Sequence, residues 1–281
     1  MAKQIRFKAK RERWATQRKA LMKGEPLHYP SAVKAKYQAS LQKLISAMIK
    51  DYQKELTMLN KDFGITTDAS IASQTRIAMS KLRKKWLSVF SKRSASLADK
   101  FVSQVDAVSK RSLNESLKSL SGGLTIQTPE MPEAMKDKII AATAENVSLI
   151  KSIPEKFHYR VESAALRSIA SGGEGAKTIY QEIMEIGEVT EKRAKFIAED
   201  QTRKLTTAAN QERAKSAGIK KGIWHHSSGS AEPRRLHVEL DGTEFDLDNP
   251  PVIDLKTGQR GLPGVLPNCK CFWTPVVDFG D

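Results

Sequence analysis

Cysteine is nearly missing from this chain of 281 residues, which holds only Cys269 and Cys271, one residue apart. A disulfide between such close neighbours would be strained, and two cysteines do not make a disulfide scaffold. The pair therefore reads as reduced thiols, metal ligands or small buried side chains. Aromatic residues are scarce at 6%. Long apolar runs are lacking as well: nothing approaches the ~20 uninterrupted apolar residues of a membrane span, so no membrane partner is expected. The basic start, MAKQIRFKAKRERW, has no apolar stretch after it and is not a secretory signal. The chain is expected to be made in the cytoplasm.

Positive charge is what the chain has in excess, and it is unevenly placed. Residues 1–120 carry 26 Lys/Arg against 9 Asp/Glu, whereas residues 121–281 carry 21 against 23, so the whole net charge of +15 lies in the first part. Such an asymmetry implies a polyanionic partner, and counterion release favours nucleic acid. No helix-turn-helix, zinc-finger or RNA-binding aromatic pattern accompanies it, so contacts are expected to go to phosphates of double-stranded DNA without sequence specificity. Lys3, Arg6, Lys8, Lys10, Arg11, Arg13, Arg18, Lys19, Arg83, Lys84 and Lys85 are the candidate nucleic-acid-binding residues.

Helical periodicity dominates the first ~220 residues. Tyr37, Leu41, Leu44, Ile45, Met48, Ile49, Tyr52, Leu56 and Leu59 recur three and four apart and predict a helix over 32–60. Further helices are predicted at 69–90, 95–120, 133–151, from Ile153–Pro154 to Ser171, at 176–186 and at 193–219. The glycines at 172, 173 and 175 make a helix-to-helix turn, because a phosphate loop would need a preceding strand and a Gly-Lys-Ser/Thr ending. DFG at Asp62–Gly64 lacks every other kinase signature. His28 and His158 read as ordinary loop and helix histidines. After about 220 the pattern changes to short strands and turns, with Asp241–Gly242 between VEL and TEF predicting a hairpin. The fold class is therefore mostly α: an extended basic helical region followed by a small C-terminal α+β domain with short antiparallel strands. The expected units are a basic arm (1–31), a basic helical region (32–120), a linker (121–132), a helical connector (133–187) and the C-terminal domain (188–281).

All the unusual chemistry gathers in the last unit. Cys269, Cys271 and His237, with His225 or His226, supply four ligands suited to tetrahedral zinc. Alternatively the cysteines pack in the core and His237 bonds a turn. A thiolate–imidazole pair oriented by Asp241 or Asn268 is a third arrangement, but the cysteines sit in a Pro-rich tail rather than at a helix N-terminus. Glu239, Asp241, Glu244, Asp246 and Asp248 crowd one segment, where alternating acids mark a solvent face.

The order of these features resembles a known family. A helix RAKFIAEDQT with Arg193, followed by Asn210 and Arg213, leads to a strand ending near Trp224, an Arg-x-x-His segment (Arg234, His237), the turn at Gly242, and the closing Cys269-x-Cys271. Together they look like the C-terminal domain of the phage Mu F-like minor head proteins, the head morphogenesis family of tailed phages, over about 160–275. This chain departs from the usual pattern in having Glu199-Asp200-Gln201-Thr202 and CKC. The resemblance implies a non-enzymatic virion protein, assembled in the host cytoplasm and located in the head interior or at the portal vertex. Its implied partners are the portal protein and the major capsid or scaffolding protein, with accompaniment of the DNA. A non-viral nucleic-acid-binding helical protein and a Cys/His hydrolase are the rival readings.

Overall fold

The computed structural model describes residues 22–62, 70–120, 133–170, 176–227, 229 and 232–277. The predicted linker (121–132), the DFG turn and the glycine turn at 171–175 fall largely or wholly outside these residues. Four long helices come first: α1 (Ser31–Asp62), α2 (Ser70–Leu120), α3 (Glu133–Ala170) and α4 (Ala176–Ser216). They pack around one core in which Tyr37, Leu41, Ile45, Met48 and Tyr52 of α1 meet Phe90, Phe101 and Val105 of α2, Ile153, Phe157 and Val161 of α3, and Ile183 and Ile197 of α4. The stripe predicted for α1 is buried from Tyr37 to Leu56.

The helices are longer than predicted, for three identifiable reasons. The two helices predicted at 69–90 and 95–120 are replaced by one, α2 (Ser70–Leu120), which at 1.5 Å per residue spans about 75 Å. Between the two predicted pieces the Ser94 hydroxyl donates back to the Ser91 carbonyl at 2.9 Å and is buried, so a polar run that reads as a break is absorbed. Pro154 was expected to separate two helices, yet α3 runs through it. Ile150, Ile153 and Phe157 are buried on both sides of the proline, and their packing outweighs the missing backbone hydrogen bond. Gly187, expected past a helix end, lies inside α4. A Cβ there would stand 2.8 Å from Ile49 Cδ1, so this glycine permits close approach of α4 to α1 instead of stopping the helix.

The C-terminal part carries the strands. β1 (Met22–Lys23), β2 (Lys221–His225), β3 (Glu244–Asp246) and β6 (Phe272–Val277) form an antiparallel sheet in the order β1-β6-β2-β3, and β4 (Val252–Asp254) pairs with β5 (Gln259–Arg260). The first strand comes from far upstream: Met22 lies opposite Val277, and the Gly24 amide donates to the Pro275 carbonyl at 2.9 Å. The VEL segment predicted as a hairpin strand is helical instead, as α5 (Arg235–Glu239), and β3 pairs directly with β2. Asp241–Gly242 does turn the chain, with Gly242 at φ 74°, but from a helix into a strand. The helix forms because its alternation is satisfied by a single inward residue, His237, while Arg235, Val238 and Glu239 stay exposed. Among the described residues, no helix is long and apolar enough to cross a membrane.

Candidate metal centre

Three elements converge beneath the sheet. β2 brings Trp224, which is fully buried and lies opposite Trp273 of β6. α5 brings His237, also buried, whose ring meets Trp224 edge-on with centroids 5.2 Å apart. The turn before β6 brings Cys269 and Cys271. That turn depends on Asn268, which takes φ 58°, a left-handed conformation that asparagine tolerates better than most residues. It closes with the Cys269 amide donating to the Leu266 carbonyl at 3.0 Å.

Arg234, just before α5, donates to the Pro267 carbonyl at 2.9 Å and so ties the cysteine turn to the helix bearing His237. His237 Nδ1 then lies 3.4 Å from the Cys269 sulfur and 3.7 Å from that of Cys271. On its other side His237 Nε2 is 3.1 Å from the Ile253 carbonyl. A carbonyl can only accept, so Nε2 carries the proton and Nδ1 presents its lone pair to the two sulfurs. This tautomer is the one a metal-ligating histidine needs, with a carbonyl holding the far nitrogen.

The sulfurs are unlike each other. The Cys271 thiol donating to Cys269, against the opposing effect of burial, holds the Cys269 pKa well below its usual value, and His237 and the backbone amides of Cys271 and Gly264 add to this. The same contact with Cys269, together with burial, pushes Cys271 up. A shared proton between two buried sulfurs is what such a pair adopts when no cation lies between them. A divalent cation would replace that proton, and two thiolates with a neutral imidazole are a donor set that suits zinc. The three ligand atoms lie within 4.8 Å of one another, and among the described residues no other group of three His, Cys, Asp or Glu side chains gathers in this way. The residues present thus fit a zinc ion.

His225 does not join them: its Nε2 is 3.0 Å from the Thr274 hydroxyl and its ring stacks on Phe272. His226 does lie near, since it lines a crevice of about 20 Å³ together with His237, Cys269 and Cys271. That volume holds one small guest at most. The acids at 239, 241, 244, 246 and 248 are solvent-facing as expected, and several are engaged. Glu244 pairs with Lys221, Lys215 with Asp248, and Asp241 accepts the His226 amide at 2.8 Å. They form no paired-carboxylate site.

The other residues of the resemblance fasten this domain to the bundle. Arg213, 1% exposed, reaches Asp106 of α2 at 2.5 Å, and Asn210 accepts from Ser109 at 2.6 Å. Arg193, by contrast, donates to Ser152 of α3 at 3.2 Å and stands apart from the centre. Gln201 joins Asn146 and Glu145 of α3, and Asp200 pairs with Lys204 at 2.7 Å. Burial pushes Glu199 up, but Arg203 and Lys34 outweigh it and hold its carboxyl below the usual range. The 199–202 segment is therefore structural, binding α4 to its neighbours.

Residues 159–274 match the family model described as Phage Mu protein F like protein. The C-terminal region is a Mu F-like domain. The match ends on Thr274, and so takes in α4, α5, His237 and both cysteines. Two curated relatives are similar over more of the chain. A Haemophilus influenzae protein is 30% identical over 258 residues, 91% of this chain and 56% of the relative. Bacillus subtilis YqbB is 27% identical over 194 residues, 58% of this chain and 61% of the relative. Both are described as uncharacterized proteins. The chain thus spans somewhat over half the length of the curated relatives it matches. No solved structure matches it.

Of the candidate nucleic-acid-binding residues, Lys3, Arg6, Lys8, Lys10, Arg11, Arg13, Arg18 and Lys19 lie outside the described residues. Arg83, Lys84 and Lys85 lie exposed on α2. Lys85 is held by Asp51 at 2.5 Å and sits over the Trp86 ring, whereas Arg83 turns toward a cavity among the helices. Sequence reasoning missed Asp106 and the Ile253 and Pro267 carbonyls. An aspartate in a polar helix gives no local signal of its partner, and a backbone carbonyl gives none at all.

Proposed function

We propose that this chain is a minor head protein of a tailed phage, acting in head morphogenesis and carried in the virion. The Mu F-like match over 159–274 is the observation that carries this reading. On this view it is a structural component and not an enzyme. Burial supports this: Cys269 and Cys271 are 3% and 7% exposed. Mass spectrometry of purified procapsids and virions tests it. The intact chain is expected in both, and its absence from both overturns the reading.

Within that role the two parts divide the work. His237, Cys269 and Cys271 would hold a zinc ion in the Mu F-like domain, with His226 lining the same crevice, and the domain docks on the portal or on the capsid or scaffolding shell. The ion would supply a cross-link between α5 and the turn before β6 and no reaction. The basic helical part contacts packaged double-stranded DNA through phosphates. Binding to a random duplex is expected to fall steeply with salt, and neutralising Lys84 and Lys85 together is expected to lower the slope of log affinity against log salt by roughly one per lost contact. Binding that ignores salt contradicts the phosphate assignment.

A further inference from the structure

The bundle carries a second polar site, distant in sequence and type from the metal centre and open to solvent on the side of Arg76, Ser80, Arg83 and Glu162. Where α1, α2 and α3 meet, a cavity of about 160 Å³ is lined by Tyr52, Arg76, Ser80, Arg83, His158 and Glu162. Residues 76, 80 and 83 are four and three apart and so share one face of α2, while 158 and 162 share a face of α3. His158 is only 3% exposed. Its Nδ1 is hydrogen-bonded to the Tyr52 hydroxyl, and in the tautomer in which the phenol donates, Nε2 carries the ring proton. That Nε2 is buried and meets no acceptor. A buried donor left without an acceptor is costly, and natural cores seldom leave one so.

The remaining groups point to what would satisfy it. Among the described residues neither Arg76 nor Arg83 forms an ion pair, and the charge of Arg83 is felt at both Tyr52 and His158. Two guanidiniums, an imidazole N–H and a serine hydroxyl are donors around one small space. Glu162 is the exception, because a carboxylate can only accept. A ligand that suits all of them is an oxyanion that also bears an O–H group.

We propose that this cavity binds free hydrogenphosphate between α1, α2 and α3, with Arg76 and Arg83 supplying charge, His158 and Ser80 neutral donors, and Glu162 accepting the ligand's O–H. Sulfate, of like shape but without a proton at neutral pH, lacks a donor for Glu162 and is rejected. A DNA phosphodiester is rejected on the same ground.

The test uses the full chain in phosphate-free buffer at constant ionic strength, following inorganic phosphate binding by calorimetry and the His158 ring nitrogens by NMR. Phosphate is expected to bind and shift the His158 Nε2 resonance. Binding is expected to be about tenfold or more weaker for sulfate and for an Arg76→Gln/Arg83→Gln chain, as loss of charge-assisted hydrogen bonds implies. Arg93→Gln, an exposed arginine of α2 outside the cavity, is expected to bind as the natural chain does. Glu162→Gln, which can donate, is expected to narrow the gap between phosphate and sulfate. No response to phosphate, which leaves water as the occupant, overturns the proposal. So does equal affinity for sulfate, an unchanged double variant, or the same His158 shift on adding duplex DNA.

Discussion

The bundle and the Mu F-like domain solve the same problem of stability in different ways. Four long helices bury apolar stripes against each other, and polar side chains such as Tyr37 on Asn146 at 3.0 Å reach partners across helices. The small domain has shorter strands and a thinner apolar inventory, and at its middle, among Trp224, Phe245 and Trp273, stand two cysteines and a histidine. Apolar area is roughly proportional to stabilisation, so the bundle can lose a contact and survive. A domain with a polar middle depends on what joins those polar groups. The two parts should therefore fail separately and under different insults.

The largest effect expected is from removing the ligands. Cys269→Ser with Cys271→Ser, or a strong chelator, is predicted to unfold the Mu F-like domain while the helical signal persists, because structural zinc contributes on the order of 10 kcal/mol in small domains. Loss of the Trp224 and Trp273 share of the near-ultraviolet signal, with that of Trp86 in the bundle kept and little change at 222 nm, is the outcome sought, and a single joint transition would break the contrast. Phe90→Ala makes the converse cut. Phe90 is fully buried in the bundle, and its loss is expected to cost about 3–5 kcal/mol by denaturant titration, with metal content unchanged.

Asp106→Ala probes the join. It leaves the buried Arg213 guanidinium without its carboxylate, which typically costs about 3 kcal/mol or more. Because Arg213 lies at the end of α4 beside Ala214, which packs in the C-terminal core with Leu113 and Leu117 of α2, this change should lower the transitions of both parts, as neither of the first two does. A shift confined to one part would mean that the two do not share this contact.

A smaller effect follows from pH and belongs to the bundle alone. Burial, aided by the charge of Arg83, lowers the His158 pKa from 6.5 to about 4. The unfolded chain therefore takes up a proton below about 6.5 that the folded chain refuses until about 4. Stability associated with neutral His158 is complete above the upper value, is lost progressively as pH falls, and levels off below the lower one. His158→Gln should flatten that part of the stability curve, and a slope that survives the substitution assigns it elsewhere.

What the sequence made legible follows the same division. The stripe from Tyr37 to Leu56 was readable because helical packing repeats locally, every three to four residues. The His237–Cys269–Cys271 grouping was readable as chemistry, since few residue types bind zinc. Local punctuation misled where tertiary contacts overruled it: Pro154 sits in a helix clamped by buried neighbours, and Gly187 is there for Ile49. The segment RRLHVEL alternates like a strand yet buries only His237, which one helical turn does equally well. Least legible were the contacts between distant residues. Nothing near Tyr52 announces His158, and a strand of two residues at Met22 leaves no pattern to find.

The central proposal is a zinc ion held by His237, Cys269 and Cys271. Elemental analysis of the natural chain, purified without added chelator or histidine tag, tests it most directly. About one zinc per folded chain is predicted, falling to background in Cys269→Ser/Cys271→Ser. A natural chain that is fully folded, with its tryptophan signal intact and no bound metal, would contradict the account.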